Sequence, residues 1–182
     1  MSLIDKTYFQ GEINLPGLQS PDIQAKLAIF ITKYELQYLQ QALGYSFWKL
    51  FNDSLPTPPA NGRFDKLLNG GEYTDCRGFV KKWNGLVSAT KDSSIANYVY
   101  YWYTRDNASF TTTVGEVKAT TENSTNGSMV MKQTRAYNAM VALTDQMHEF
   151  LKYSVNGDAT PMFPEFDECQ TTYFERLRFT AI

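Results

Sequence analysis

Apolar side chains recur at three- and four-residue steps from Ile23 through Leu27, Phe30, Ile31 and Tyr34 to Tyr38. That spacing stacks them on one face and predicts a helix running to about Leu43. Ser20 is a suitable N-cap, Pro21 suits the first helical position and Asp22 favours the positive helix end. Gly44 stops the helix. A short second helix, YSFWKLF, presents Phe47, Trp48 and Phe51 before LPTPPANG breaks the pattern with its prolines. RFDKLLNGG predicts one or two helical turns closed by Gly70 and Gly71, and EYTDCRGFVKKWNGL alternates loosely enough for a small hairpin.

The helical period returns from about Lys91, with Ser93 or Ser94 near the cap and Ile95, Tyr98, Val99 and Trp102 on one stripe. The Thr/Asn/Gly-rich stretch TTTVGEVKATTENSTNG follows; its β-branched residues around Gly115 predict a polar hairpin or a long projecting loop. A last long helix keeps Tyr137, Met140, Val141 or Leu143, Met147 and Leu151 in register until Asn156 and Gly157 end it. The tail, TPMFPEFDECQTTYFERLRFTAI, is rich in aromatics and has no clear period. The expected fold class is therefore mainly α, a compact helical domain of three substantial helices with a small polar β-hairpin or long loop and extended terminal arms. An N-terminal arm spans 1–20, the helical domain 21–157 with the hairpin or loop at about 109–128, and a C-terminal arm 158–182. No internal repeat appears.

Within the fourth helical segment, YVYYWY (Tyr98 to Tyr103) has no charge and no small polar residue. An ordinary surface helix keeps one wet face, and this one would be apolar or aromatic on every side. Either the helix is central or other chains cover it. Tyr, Trp and Met are enriched at subunit interfaces, so Tyr98, Tyr100, Tyr101, Trp102 and Tyr103 are the candidate subunit-interface residues, expected to divide between the domain core and a neighbouring copy. The aromatic, proline-punctuated arms are expected to lie on an adjacent subunit as well, which predicts that losing 158–182 harms assembly more than folding.

Composition narrows the chemistry. The chain has 182 residues, enough to bury roughly 70% of its unfolded surface in one domain without a disulfide or metal. Seventeen basic and nineteen acidic residues give a net charge of -2, with no field for gripping phosphates. Cys76 and Cys169 fit no zinc-ligand spacing and read as free thiols. MSLIDKTYFQGE lacks the basic and apolar regions of a signal peptide, and no apolar run is long enough to span a membrane. The chain is therefore expected to be made and assembled inside the cell. Asn52, Asn123 and Asn126 stand in N-x-S/T contexts that such a chain would not use for glycosylation.

The single histidine, His148, lies mid-helix beside Glu149 and reads as a solvated residue rather than the base of a triad. Neither a P-loop nor a G-x-G-x-x-G run is present. The pairs Asp65 with Glu72 and Asp167 with Glu168 read as solvated acids. No catalytic set, cofactor or metal is expected.

The run FITKYELQYLQQALGYSFWKLF, with Tyr34-Glu35 ahead of Leu43-Gly44, resembles the opening helix pair of small helical head-tail connector (adaptor) proteins of tailed bacteriophages. KKWNGLVSATKDSSIANYVYYWY, the TTTVGEV turn with Gly115, and KQTRAYNAMV with Asn138 are similar to connector-like proteins of Bacteroidetes phages and prophages. The resemblance spans roughly residues 23 to 153 and leaves the arms unmatched. It implies a non-catalytic virion protein: a dodecameric ring, assembled in the host cytoplasm, that docks below the portal, extends the DNA channel and joins the tail or further ring proteins. DNA would pass without sequence-specific binding. Val114, Gly115, Lys118, Asn123 and Asn126 become the loop that meets a partner or the lumen. A tail-completion or tail-terminator ring is the alternative within this class; an aromatic-rich glycan-binding module and a small hydrolase using His148 are the alternatives outside it.

Overall fold

The structure is a computed structural model that describes residues 2–55, 62–107, 109–112, 115–118 and 126–178, of which 109–112, 115–118 and 126–128 are described by backbone alone. Pro21 opens α1 (Pro21–Leu43), as its fixed φ allows, but Ser20 makes no side-chain cap; its carbonyl accepts from Gln24 N–H at 3.1 Å. Gly44, with φ of 74°, turns α1 directly into α2 (Tyr45–Ser54). A Cβ there would sit 3.0 Å from Cβ of Gln170, so the corner needs glycine for space as well as for conformation. α3 (Gly62–Asn69) follows, and its Phe64 and Leu67 enter the core.

β1 (Gly71–Thr74) and β2 (Val80–Trp83) form an antiparallel hairpin in which Tyr73 faces Lys81 and Gly71 faces Trp83. Because side chains alternate across a strand, Tyr73, Lys81 and Trp83 share one face. That face lies on α5 (Asn126–Tyr153): Tyr73 and Trp83 rings stand 5.6 and 6.2 Å from Phe150. Lys81 pairs with Glu149 at 2.6 Å, and Tyr73 Oη–H donates to the same carboxylate at 3.0 Å.

Asp75 shapes the turn of this hairpin by accepting the backbone N–H groups of Arg77 and Phe79 while Lys81 lies 3.3 Å from its second oxygen. The Phe79 and Arg77 amides and then Lys81 hold its carboxyl below the usual range, and Lys81 does the same for Glu149. Carboxylates with depressed folded values add stability above their ordinary values of 3.8 and 4.5, and lose it as pH falls through the lowered ones. Thermal melts between pH 7 and pH 3 should show the midpoint dropping at the acid end. Asp75→Asn should start lower at pH 7 and fall less; a parallel acid drop in the variant would remove Asp75 from the account.

α4 (Ser94–Asp106) lies between α1 and α5, and nine of its residues are buried, including Ile95, Ala96, Tyr98, Val99, Tyr100 and Tyr103. Tyr38 of α1 meets Thr144 of α5 through a fully buried hydroxyl pair 2.7 Å apart, and burial pushes the Tyr38 phenol up to about 12. Between α4 and α5 stands a second hairpin, β3 (Ser109–Thr112) with β4 (Gly115–Lys118), with Thr112 opposite Gly115 and Ser109 opposite Lys118. α5 starts at Asn126, so the hairpin occupies less of 109–128 than its composition suggests.

Both arms fold back on their own domain. The N-terminal arm carries short 3-10 turns at Lys6–Tyr8 and Gly11–Ile13, and puts Ile4, Tyr8, Phe9, Ile13 and Leu15 into the core. The C-terminal arm contributes Met162, Phe163 and Phe174. Phe163 closes a ring cluster with Phe47, Phe64 and Phe150 at 5.6 to 6.3 Å. The expectation that the arms lack shelter without a neighbour is corrected: grooves along α1, α4 and α5, invisible in a linear pattern, receive them. Loss of 158–182 therefore strips core side chains and harms the fold directly.

Candidate assembly surface

The aromatic helix resolves into two sets. Tyr98 is buried among Tyr34, Tyr38 and Phe174 at 6.2, 5.5 and 6.3 Å, and its hydroxyl donates to Gln41 at 3.2 Å. Tyr103 is buried edge-on against Phe30 at 5.1 Å, and Tyr100 is buried too. Desolvation raises all three phenols above their ordinary value. These three fall on the core side of the division expected for the aromatic run. α1 and α5 flank α4 and the arms pack over the rest, so these side chains are already out of water within one chain.

Tyr101 and Trp102 form the second set and stay half-buried. The Trp102 ring stacks on Tyr34, 5.4 Å away and tilted only 3°. Tyr101 leans on Trp102 at 5.4 Å and on Tyr137 of α5 at 4.9 Å. Arg105, one turn on, carries its guanidinium 5.2 Å from the Trp102 ring and donates to the Tyr101 hydroxyl at 3.2 Å. A rigid aromatic pair with an arginine laid over it is the composition that dominates binding energy at protein interfaces.

The start of α5 carries further exposed apolar residues. Met129, Val130 and Met131 are 44%, 54% and 39% exposed. Three consecutive helical residues point in directions about 100° apart, so the partial exposure of this stretch is spread over more than one face of the helix. Of the residues read as a partner loop, Gly115 and Lys118 lie at the two ends of β4, and Asn126 opens α5. Val114 and Asn123 lie outside the described residues. The structure thus places Gly115, Lys118 and Asn126 in one hairpin-to-helix passage between α4 and α5.

His148 is tethered rather than solvated. Its Nε2 lies 2.6 Å from the Ala42 carbonyl, near the end of α1, and its ring packs 5.5 Å from Phe166. It supplies a partner to a carbonyl that the helix end leaves free. Among the residues paired as acids, Asp65 accepts from Asn69, Asp167 caps Cys169 N–H, and Glu168 meets Lys152 at 3.2 Å. Among the described residues no group of three His, Cys, Asp or Glu is placed to hold a metal ion, and no helix is long and apolar enough to cross a membrane.

Glu35 and Asn138 entered the sequence reading only as parts of a resemblance, and what they hold was missed. Glu35, buried on α1, accepts Leu3 N–H at 3.0 Å, Ile4 N–H at 3.2 Å and the Ser2 hydroxyl at 2.7 Å, which clamps the start of the N-terminal arm. Its signal was a charge in register with Ile31 and Leu39 on the buried stripe. Asn138 holds the C-terminal arm by its backbone at Leu177, a contact that no local pattern announces.

Comparison with family models, with characterised proteins and with solved structures finds no match to this chain.

Proposed function

We propose that this protein is a structural subunit of a ring in a virion of a tailed phage, a head-tail connector that docks against the portal and continues the DNA channel toward the tail. The observation that carries the reading is the start of α5: a helical stretch in which Met129, Val130 and Met131 are all exposed, with Val130 two turns before the Tyr137 that packs on Tyr101. Apolar groups exposed together in this way mark an interaction surface. Closed rings use a heterologous contact, in which two different patches of each copy meet. A second patch is present on α1, where exposed Ile29 and Leu36 stand seven residues apart on one stripe. The helical architecture and the resemblance over residues 23 to 153 support the same reading, and the net charge of -2 suits a channel through which DNA slides.

Burial of these side chains contributes on the order of 25 cal/mol per Å² of apolar surface, less the cost of association. Native mass spectrometry and negative-stain imaging of the purified protein should reveal a ring. Val130→Glu combined with Met131→Glu should lower its population at least tenfold and leave the melting midpoint of the subunit within a degree or two. A wild-type protein that stays monomeric at high concentration, or a double variant that assembles normally, would sink the reading. A tail-completion ring would use the same surfaces, and the position of labelled rings on intact particles separates it from a connector.

A further inference from the structure

Where α1 turns into α2 at Gly44, the two helices line a cleft with matching stripes. Thr32, Glu35 and Leu39 follow one another at helical steps along α1, and Trp48, Phe51 and Leu55 do the same from α2 to its end. Ser2 and Leu3 of the N-terminal arm form the third wall. The cleft measures about 340 Å³, within the range of small-molecule sites. Leucines and two aromatic rings make up most of its lining. Leu36, which also belongs to the exposed α1 stripe, and exposed Asn52 stand at its rim.

One polar group in this lining carries a charge. Glu35 is 7% exposed. Its Oε2 accepts the Ser2 hydroxyl, Leu3 N–H and Ile4 N–H at 2.7, 3.1 and 3.2 Å, whereas Oε1 accepts Leu3 N–H alone, at 3.0 Å, and has capacity for another donor. Among the described residues no lysine, arginine or histidine forms an ion pair with it. Burial raises its carboxyl above the usual range, and the Leu3 amide, Ser2, the Ile4 amide and, least, the amino terminus only partly offset this. A carboxylate desolvated in an apolar cleft is stabilised by any cation that reaches it and repels an anion.

We propose that this cleft binds a small organic cation, a primary amine whose ammonium donates to Glu35 while its apolar body lies against Leu36, Trp48 and Leu55. The charge selects the ligand class and the walls reward its hydrocarbon part: Leu36, 45% exposed, gains cover, and the Trp48 ring offers its face to the ammonium stem. A neutral ligand of the same shape keeps only the second contribution. The proposal is independent of the ring reading, since every residue that it uses belongs to one chain.

The test uses the full chain at neutral pH, with phenethylamine as the probe, phenethyl alcohol as its neutral match and hydrocinnamate as an anion of similar shape. In amide NMR titrations phenethylamine should shift the Leu3 and Ile4 amides and the Trp48 indole, saturating in the millimolar range and at least tenfold more tightly than the alcohol. Hydrocinnamate should leave those signals in place. Glu35→Gln should bring the amine down to the level of the alcohol. Because that variant also weakens the hold on the arm, Asn52→Lys provides a second reading: on an exposed rim position it sets a cation at the mouth, and it should weaken the amine at least threefold while sparing the alcohol. Equal binding of amine and alcohol to the wild type, shifts that avoid Leu3 and Trp48, or an amine preference that survives both substitutions would overturn the proposal.

Discussion

Gly85→Ala is expected to cost on the order of 4 kcal/mol. Gly85 has φ of 90°, a region that L side chains rarely adopt. A Cβ there would lie 2.5 Å from the Leu68 carbonyl oxygen, 2.6 Å from C of Asn69 and 2.7 Å from N of Gly70. All three are backbone atoms, so no rotamer change makes room. The approach is close because the chain leaving β2 runs against the end of α3, with Leu86 N–H and Val87 N–H donating to Leu67 and Leu68 at 3.2 and 2.8 Å. Trp83 Nε1–H also donates to the Leu67 carbonyl, at 2.9 Å. The methyl group must therefore push the hairpin off α3 and loosen Trp83 above Phe150. Chemical denaturation should show a midpoint far below wild type or a lost cooperative transition. A variant within 1 kcal/mol of wild type would mean that the two backbones separate without penalty.

Glu35→Ala is expected to cost about 2 to 3 kcal/mol and to free the N-terminal arm. Removing the carboxylate leaves the Leu3 and Ile4 amides without their acceptor while Ile4 stays in the core. Limited proteolysis should cut the variant ahead of α1 much faster than wild type, and the melting midpoint should fall in step. Unchanged cleavage would mean that Ile4, Tyr8 and Phe9 hold the arm without help. The same residue has an acid signature opposite to that of Asp75. Burial raises the Glu35 carboxyl above its ordinary 4.5, with the Leu3 amide, Ser2 and the Ile4 amide opposing in that order. A group raised in the folded state adds stability that is fully present below its unfolded value and disappears as pH rises through the folded one. As pH falls toward 4.5, therefore, the wild type should gain slightly on acidification, a gain absent from Glu35→Ala, before the loss at Asp75 and Glu149 takes over.

What could be read from sequence follows the range of each interaction. α1 and α5 were legible because an apolar stripe from Ile23 to Tyr38, or from Tyr137 to Leu151, is a property of neighbours along the chain. The β1–β2 hairpin was legible too, as alternation around Tyr73, Lys81 and Trp83. The enclosure of Tyr98, Tyr100 and Tyr103 was not, because the cover includes arms whose residues have no period of their own. A dense aromatic run signals that burial is required and does not name what provides it. Tyr101 and Trp102, left half-exposed from the same six residues, show how far that ambiguity reaches.

The end of α1 carries a kinetic implication. Its Ala42 carbonyl waits for His148, 106 positions further along, and the Gln41 carbonyl waits for Thr172. During synthesis α1 thus stays unfinished until distant segments arrive, and a nascent chain exposes a raw seam where α1 turns into α2. Such long-distance closure slows folding and lengthens the interval in which immature copies can stick to one another.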